Sequence, residues 1–213
     1  MPPNSMVIVG NGPSATPALL ESFSCPSFGM NFVSKIYPRT TWRPTHYVFG
    51  SAPFDNPQSR FQSVMESVNL GIPCYIRKDW ENEIKGDNVT YFSVHRMFNT
   101  NGKLQDAAVY WPKGLTALAG SGTAVFLAAQ ISGLLGFKHL IFLGLDGYRP
   151  WEGRDPNHLA DDYYDYPVEF GSLTAAFINA QSTAGYMKMV AQLKEHGVTC
   201  SFIVPPAKLG WEI

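Results

Sequence analysis

The chain has 213 residues, 45% of them apolar and 14% aromatic, and a formal net charge of −1 from 16 basic and 17 acidic side chains. That length suits one α/β domain with a full core, and the near-even charge with scattered basic residues excludes the electrostatic footprint of a duplex nucleic-acid binder. No basic region leads into an apolar run at the start, so no signal peptide is expected. The most apolar stretch, Ala124 to Leu145, is broken by Gln130, Ser132, Gly133, Lys138 and His139, so no transmembrane segment is expected either. Three separated cysteines (Cys25, Cys74, Cys200) without a CxxC suit reduced thiols and a cytoplasmic location.

Met6-Val7-Ile8-Val9 is a run of β-formers that leads into Gly10-Asn11-Gly12-Pro13-Ser14 and then a helical pattern. Gly10, Asn11 and Gly12 tolerate the positive φ of a tight turn, Pro13 suits a first helical turn, and Ser14 can cap it. The pattern predicts a strand, a glycine turn and a helix start whose amides face open space, a place that attracts phosphate. The third glycine of the dinucleotide fingerprint is Ala15 here, and the Lys-Ser/Thr pair of a P-loop is missing. An ordinary strand-to-helix turn is the alternative.

A short helix is expected over Ala15–Phe23, then a strand over Gly29–Val33 with Asn31 in it or at its end, and an irregular loop over Ser34–Pro44. Thr45–Phe49 reads as a strand ending at Gly50-Ser51, Ser59–Val68 as a helix stopped by Gly71, and Pro73–Ile76 and Val89–Phe92 as strands. Val94–Gly114 has no strong periodicity. Gly120-Ser121-Gly122-Thr123 opens the strongest helix, Ala124–Leu135, apolar nearly all round and stopped by Gly136. A buried-type strand, His139–Gly144, leads into Leu145-Asp146-Gly147-Tyr148, and Arg149–Pro167 is a polar loop. Helix Ala175–His196 and strand Val198–Val204 complete the pattern. The expectation is a single Rossmann-like α/β domain over 1–213: a mostly parallel sheet, helices on both faces, and a loop-rich lid or insertion within 94–119 and 149–172.

In such sheets ligands sit beyond the carboxyl ends of the strands, near the point where strand order reverses. The groups expected there are Gly10 to Ser14, Asn31, Ser51 and Asp146, with Ser121, Gly122 and Thr123 as a second anion site at a helix start. Asp146 can bond a ribose or sugar hydroxyl, hold a metal, or cap a turn. His158 is the histidine placed to titrate in a cleft as a general base, with a surface-loop histidine as the alternative. Tyr148, Tyr163 and Tyr164 can donate to a departing phosphate or simply pack. His46, His95, His139 and His196 read as structural or exposed. No HxH, HExxH or Asp-x-Asp spacing supports a metal site, although Asp146, His158, Asp161 and Asp162 are the candidates for a hard cation.

Val7-Ile8-Val9-Gly10-Asn11-Gly12-Pro13-Ser14 resembles the opening of the bacterial sialyltransferases of the Campylobacter type, which use cytidine-monophosphate sialic acid. The block from Gly120-Ser121-Gly122-Thr123 through Leu135-Gly136-Phe137 to Gly144-Leu145-Asp146-Gly147-Tyr148 is similar to their second conserved block, and Asn31 falls at a nucleotide-contacting asparagine. The blocks recur in the 6-hydroxymethylpterin diphosphokinase-like family and in related glycosyltransferase-like proteins. The resemblance covers about a third of the chain. It implies a Rossmann-like fold, a cytidine nucleotide held by the Gly-Asn-Gly-Pro-Ser turn and nearby asparagines, and metal-independent transfer without a tightly bound cofactor. It implies leaving-group assistance by Tyr148, with His158 substituting for a family histidine that aligns near Asn179-Ala180-Gln181. The resulting expectation is a glycosyltransferase-like enzyme whose partner is a nucleotide-sugar donor. The alternatives are Mg²⁺-dependent pyrophosphoryl transfer from a nucleoside triphosphate, and a non-catalytic module binding a nucleotide or sugar-phosphate.

Overall fold

The computed structural model describes residues 1–51, 57–96, 114–115, 118–120, 123–147, 157–160, 162–163 and 172–203. In chain order the strands are β1 (Ser5–Val9), β2 (Ser27–Met30), β3 (His46–Phe49), β4 (Cys74–Arg77), β5 (Val89–Phe92), β6 (Val94–Arg96), β7 (Leu118–Gly120), β8 (His139–Leu143) and β9 (Thr199–Phe202). The α-helices are α1 (Pro17–Glu21), α2 (Pro57–Asn69), α3 (Ala124–Leu134) and α4 (Ser172–Glu195), with 3₁₀ turns at Val33–Arg39 and Lys78–Trp80.

Seven strands form one sheet in the order β5-β4-β3-β2-β1-β8-β9, and every pair in it is parallel. The expected α/β Rossmann-like domain is therefore what the chain forms, with an all-parallel main sheet. Alternate strand residues feed two cores, one on each face. Met6, Ile8, Phe28, Met30, Val48, Leu140 and Phe142 face α3 and α4. Val7, Val9, Tyr47, Phe49, Ile76, Ile141 and Leu143 face the other side, with Leu20 of α1, Val64 and Val68 of α2, and Val33 and Ile36 of the 3₁₀ turn. Burying each of these large side chains contributes about 1.5–3 kcal/mol, which is why both faces of each strand read as apolar.

Helix α3 is buried from Ala124 through Ser132. Its two interior polar residues bond back within the helix, Gln130 Nε2 to Phe126 O at 2.9 Å and Ser132 Oγ to Ala128 O at 2.7 Å, so neither is left unsatisfied. It ends where Gly136 takes φ +90°, as expected for a glycine stop. Because α3 leads into β8, its first turn lies at the carboxyl edge of the sheet. Leu127 there fills the space beside Gly50, just past β3.

Several expected boundaries move. The second strand ends at Met30, because Asn31 adopts φ +49°, and the segment read as an irregular loop contains the 3₁₀ turn. The first helix begins at Pro17, with Thr16 as its cap, and not at Pro13-Ser14. β6 and β7 pair in parallel as a separate two-stranded sheet, Val94 opposite Leu118, where no element was expected. Most of the remainder of the expected lid within 94–119, and most of 149–172, lies outside the described residues. Among the described residues, no helix is long and apolar enough to cross a membrane.

Candidate functional site

Strand order reverses between β1 and β8, since the chain runs outward from β1 through β5 and returns to β1's other side as β8. The crevice at the carboxyl ends of these two strands is the position where a ligand is expected. Two glycines let the strand ends close on each other. Gly10 N donates to Leu143 O at 2.7 Å, and Gly12 N to Gly144 O at 3.0 Å. A β-carbon on Gly10 would lie 2.5 Å from Gly144 O, and one on Gly12 would lie 2.6 Å from the same atom. Gly144 takes φ +73°, a conformation that glycine adopts without strain.

This seam takes up most of the amides of the expected phosphate cradle, those of Gly10, Gly12 and Ser14. Besides Gly10 and Gly12, Ala15 N donates to Gly12 O and Thr16 N to Ser14 O, both at 3.0 Å. Ser14 donates twice to one carboxylate oxygen, Asp146 Oδ2: from its amide at 3.0 Å and from its hydroxyl at 2.7 Å. Pro13 has no amide to offer. The physical reason is the register of β8 against β1, Val9 opposite Leu143, which brings Gly144 and Asp146 onto the turn. Asp146 thus binds Ser14 and caps the turn, the plainest of its expected roles.

Two buried side-chain oxygens at this edge have no partner among the described residues. Asn11 Nδ2 donates to Met30 O at 3.0 Å and to Tyr163 Oη at 2.5 Å, which fixes the amide's orientation; flipped, its oxygen would face the Met30 carbonyl. Asn11 Oδ1 is then buried without a hydrogen-bond partner among the described residues, and so is Asn31 Oδ1, one residue past Met30. A buried polar atom left unpaired costs about 1–3 kcal/mol, so each needs an explanation. Asn31 itself is held firmly. Its amide donates to Val48 O at 3.2 Å, and its carbonyl accepts from Tyr47 Oη at 2.6 Å and Ser63 Oγ at 3.0 Å. Full burial pushes the Tyr47 phenol well above its ordinary 10.0, so it stays a neutral donor.

Residues 157–160 and 162–163 fold back over this edge. Leu159 N donates to Asn11 O at 2.7 Å, Arg39 Nη2 to Leu159 O at 3.4 Å, and Lys35 lies 3.7 Å from Asp162. The Tyr163 ring meets Phe32 edge-on at 5.2 Å and stacks on His158 with centroids 3.9 Å apart. His158 is only 9% exposed, so it does not stand open in a cleft as expected of a titrating base; it is stacked and packed beside Asn11's partner.

Of the remaining candidates, Ser51 follows β3 at the same edge, and its carbonyl accepts from Trp80 Nε1 at 2.9 Å. Thr123 caps α3, its hydroxyl accepting from Val125 N at 3.4 Å. Ser121, Gly122, Tyr148 and Tyr164 lie outside the described residues. Gly10, Asn11, Gly12, Ser14, Asn31, Asp146, His158 and Tyr163 are therefore brought together, with Ser51 and Thr123 along the same edge. Sequence reasoning missed Tyr47, Ser63, Phe32, Lys35 and Arg39, which hold Asn31, Leu159, Asp162 and Tyr163. Tyr47 reads as one more aromatic in a buried strand, and nothing in the pattern marks the others. Among the described residues, no three His, Cys, Asp or Glu side chains gather as metal ligands. Comparison with protein-family models, with curated proteins and with solved structures finds no match for this chain.

Proposed function

We propose that the chain is a glycosyltransferase-like enzyme that takes a nucleotide-activated sugar and seats the nucleoside part at the β1–β8 crevice. The observation that carries this reading is the pair of buried carboxamide oxygens of Asn11 and Asn31, both without a hydrogen-bond partner among the described residues. Both accept hydrogen bonds, so their natural complement bears donors: the exocyclic amine of a base such as cytosine, or ribose hydroxyls. Phosphates would lie toward the first turn of α3, near Thr123, because the amides of Gly10, Gly12 and Ser14 are engaged. His158 would take the acceptor's proton, with Tyr163 assisting the leaving group.

A thermal-shift panel of nucleosides, nucleotides and nucleotide sugars, with and without Mg²⁺, tests the reading. A ligand at a hundred times its dissociation constant adds about 2.7 kcal/mol of apparent stability. Asn31→Gly is the matched control, since glycine keeps φ +49° without strain while removing the carboxamide. The expected result is a shift with a nucleoside-bearing ligand that Asn31→Gly abolishes. No shift with any compound refutes the proposal, and a shift only with a triphosphate and Mg²⁺ moves it to pyrophosphoryl transfer. The burial of His158 favours one second reading, a module that binds the nucleotide without turning it over. Transfer activity lost in His158→Ala rejects that reading; binding without turnover on any donor supports it.

A further inference from the structure

The turn after β1 has the composition of an anion site, yet an anion already sits in it. Ser14 offers two donors from one residue, an amide and a hydroxyl, and both converge on Asp146 Oδ2 at 3.0 and 2.7 Å. A glycine turn that offers an N–H and an O–H to one point is the arrangement that holds an external phosphate or carboxylate elsewhere. Here the residue filling that point comes from the far side of the switch point, past β8. It is packed in as well as bonded, because a β-carbon on Gly12 would lie 3.0 Å from Asp146 Cγ.

We infer that Asp146 is a built-in anion that occupies the seat a phosphate would take, so that this turn admits a ligand only by its uncharged, donor-bearing portion. The inference rests on the reading above that a nucleoside sits at this crevice, and it names what is excluded there. Two consequences follow from the charge. An incoming phosphate at Ser14 meets a carboxylate at hydrogen-bond range in a partly buried setting, where like-charge repulsion is weakly screened. A hydroxyl or amine meets instead the oxygens of Asn11 and Asn31, which have no partner among the described residues, on the β2 side of the same turn. Asp146 is accordingly a specificity-determining and positioning residue: it sets the sign of charge that the turn accepts and ties the end of β8 to the start of the helix-bearing segment.

Chemical rescue tests this in the full chain. Asp146→Ala removes the carboxylate and leaves the two Ser14 donors facing a vacated space. Sodium formate, a small carboxylate, should then raise the melting temperature of Asp146→Ala saturably, by about 3 °C or more, while leaving the wild type unmoved. Formamide, of similar shape and no charge, should rescue neither. Should Asp146→Ala fail to fold, Asp146→Ser serves, since its side chain is too short to fill the space and leaves the two Ser14 donors open; inorganic phosphate should then bind at least about tenfold more tightly than to the wild type, a gain of about 1.4 kcal/mol. Equal response of wild type and variant to formate, rescue by formamide as good as by formate, or unchanged phosphate affinity in Asp146→Ser each overturns the inference. Nucleosides that bind the wild type while formate rescues nothing defeat this inference alone, and formate rescue with no nucleoside binding defeats the functional reading alone.

Discussion

If the closeness of β1 and β8 is what shapes the crevice, adding one methyl group at Gly144 should be far more costly than adding one at Gly136. Both glycines have positive φ, +73° and +90°. A β-carbon on Gly136 meets nothing within 4 Å, so Gly136→Ala incurs only the left-handed backbone cost, about 1–2 kcal/mol. A β-carbon on Gly144 would lie 2.8 Å from the Gly10 carbonyl carbon and closer still to its oxygen, both of them backbone atoms. Ordinary contact requires the strand ends to part by roughly 1 Å. That movement stretches Gly10 N to Leu143 O and Gly12 N to Gly144 O beyond useful length. Each lost bond adds about 1 kcal/mol to the backbone cost, so Gly144→Ala should destabilise by about 3–4 kcal/mol in all. At this chain length the melting temperature should fall by about 6–16 °C, against about 2–8 °C for Gly136→Ala. Paired thermal and urea melts of the two variants read the difference. Equal melting temperatures would refute the claim that the seam is closed by backbone contact.

Further expectations follow from the same geometry. Tyr47→Phe removes one of two donors to the Asn31 carbonyl, should cost about 1 kcal/mol in urea melts, and should weaken the best nucleoside of the panel severalfold by calorimetric titration; full affinity in this variant detaches Tyr47 from the site. Burial among Phe28, Tyr75 and Phe137 holds the His46 imidazole below its ordinary 6.5, so the unfolded chain takes up that proton first. The stability contributed by the neutral ring is complete above about pH 6.5 and declines as pH falls from there toward the depressed folded value. Urea midpoints between about pH 7.5 and about pH 5 should drop less steeply in His46→Gln than in the wild type, and identical slopes would contradict the assignment. Desolvation pushes the Cys74 and Cys200 thiols up to about 12, so near pH 8 only about one molecule in ten thousand carries either thiolate. A thiol reagent should therefore find neither in the native protein and all three cysteines in denaturant; rapid native labelling of Cys74, located by mass spectrometry, would count against its burial.

The elements legible in the sequence are those whose pattern is local. α3 and β8 emerge within a residue of their observed ends, because two apolar runs are separated by Gly136 and each is buried on most sides. β2 was displaced toward its carboxyl side, since Phe32 and Val33 look like strand residues and only the positive φ of Asn31 turns the chain out of the sheet. That conformation depends on Tyr47 and Ser63, residues of two other elements. The start of the first helix was misplaced for a related reason. Pro13 and Pro17 both suit a first turn, and Thr16, which caps the observed helix by accepting from Leu19 N at 3.4 Å, competes with Ser14, whose donors are taken by Asp146.

That competition explains why the position of the turn was legible in the sequence and its hydrogen bonding was not. Glycine spacing in Gly10-Asn11-Gly12 fixes a tight turn at the end of a parallel strand, and the switch-point rule then locates the crevice beside β8. Whether the turn's amides face a ligand or the protein is decided by Gly144 and Asp146, more than 130 residues away, through the pairing of Val9 with Leu143. A register one residue different would turn every β8 side chain to the other face, exchanging Ile141 and Leu143 with Leu140 and Phe142 between the two cores. The two cores therefore hold the register, the register delivers Asp146 to Ser14, and the carboxylate there takes up donors that the turn's composition alone would leave for a ligand. Core packing, more than the local motif, thus selects the chemistry the crevice can read.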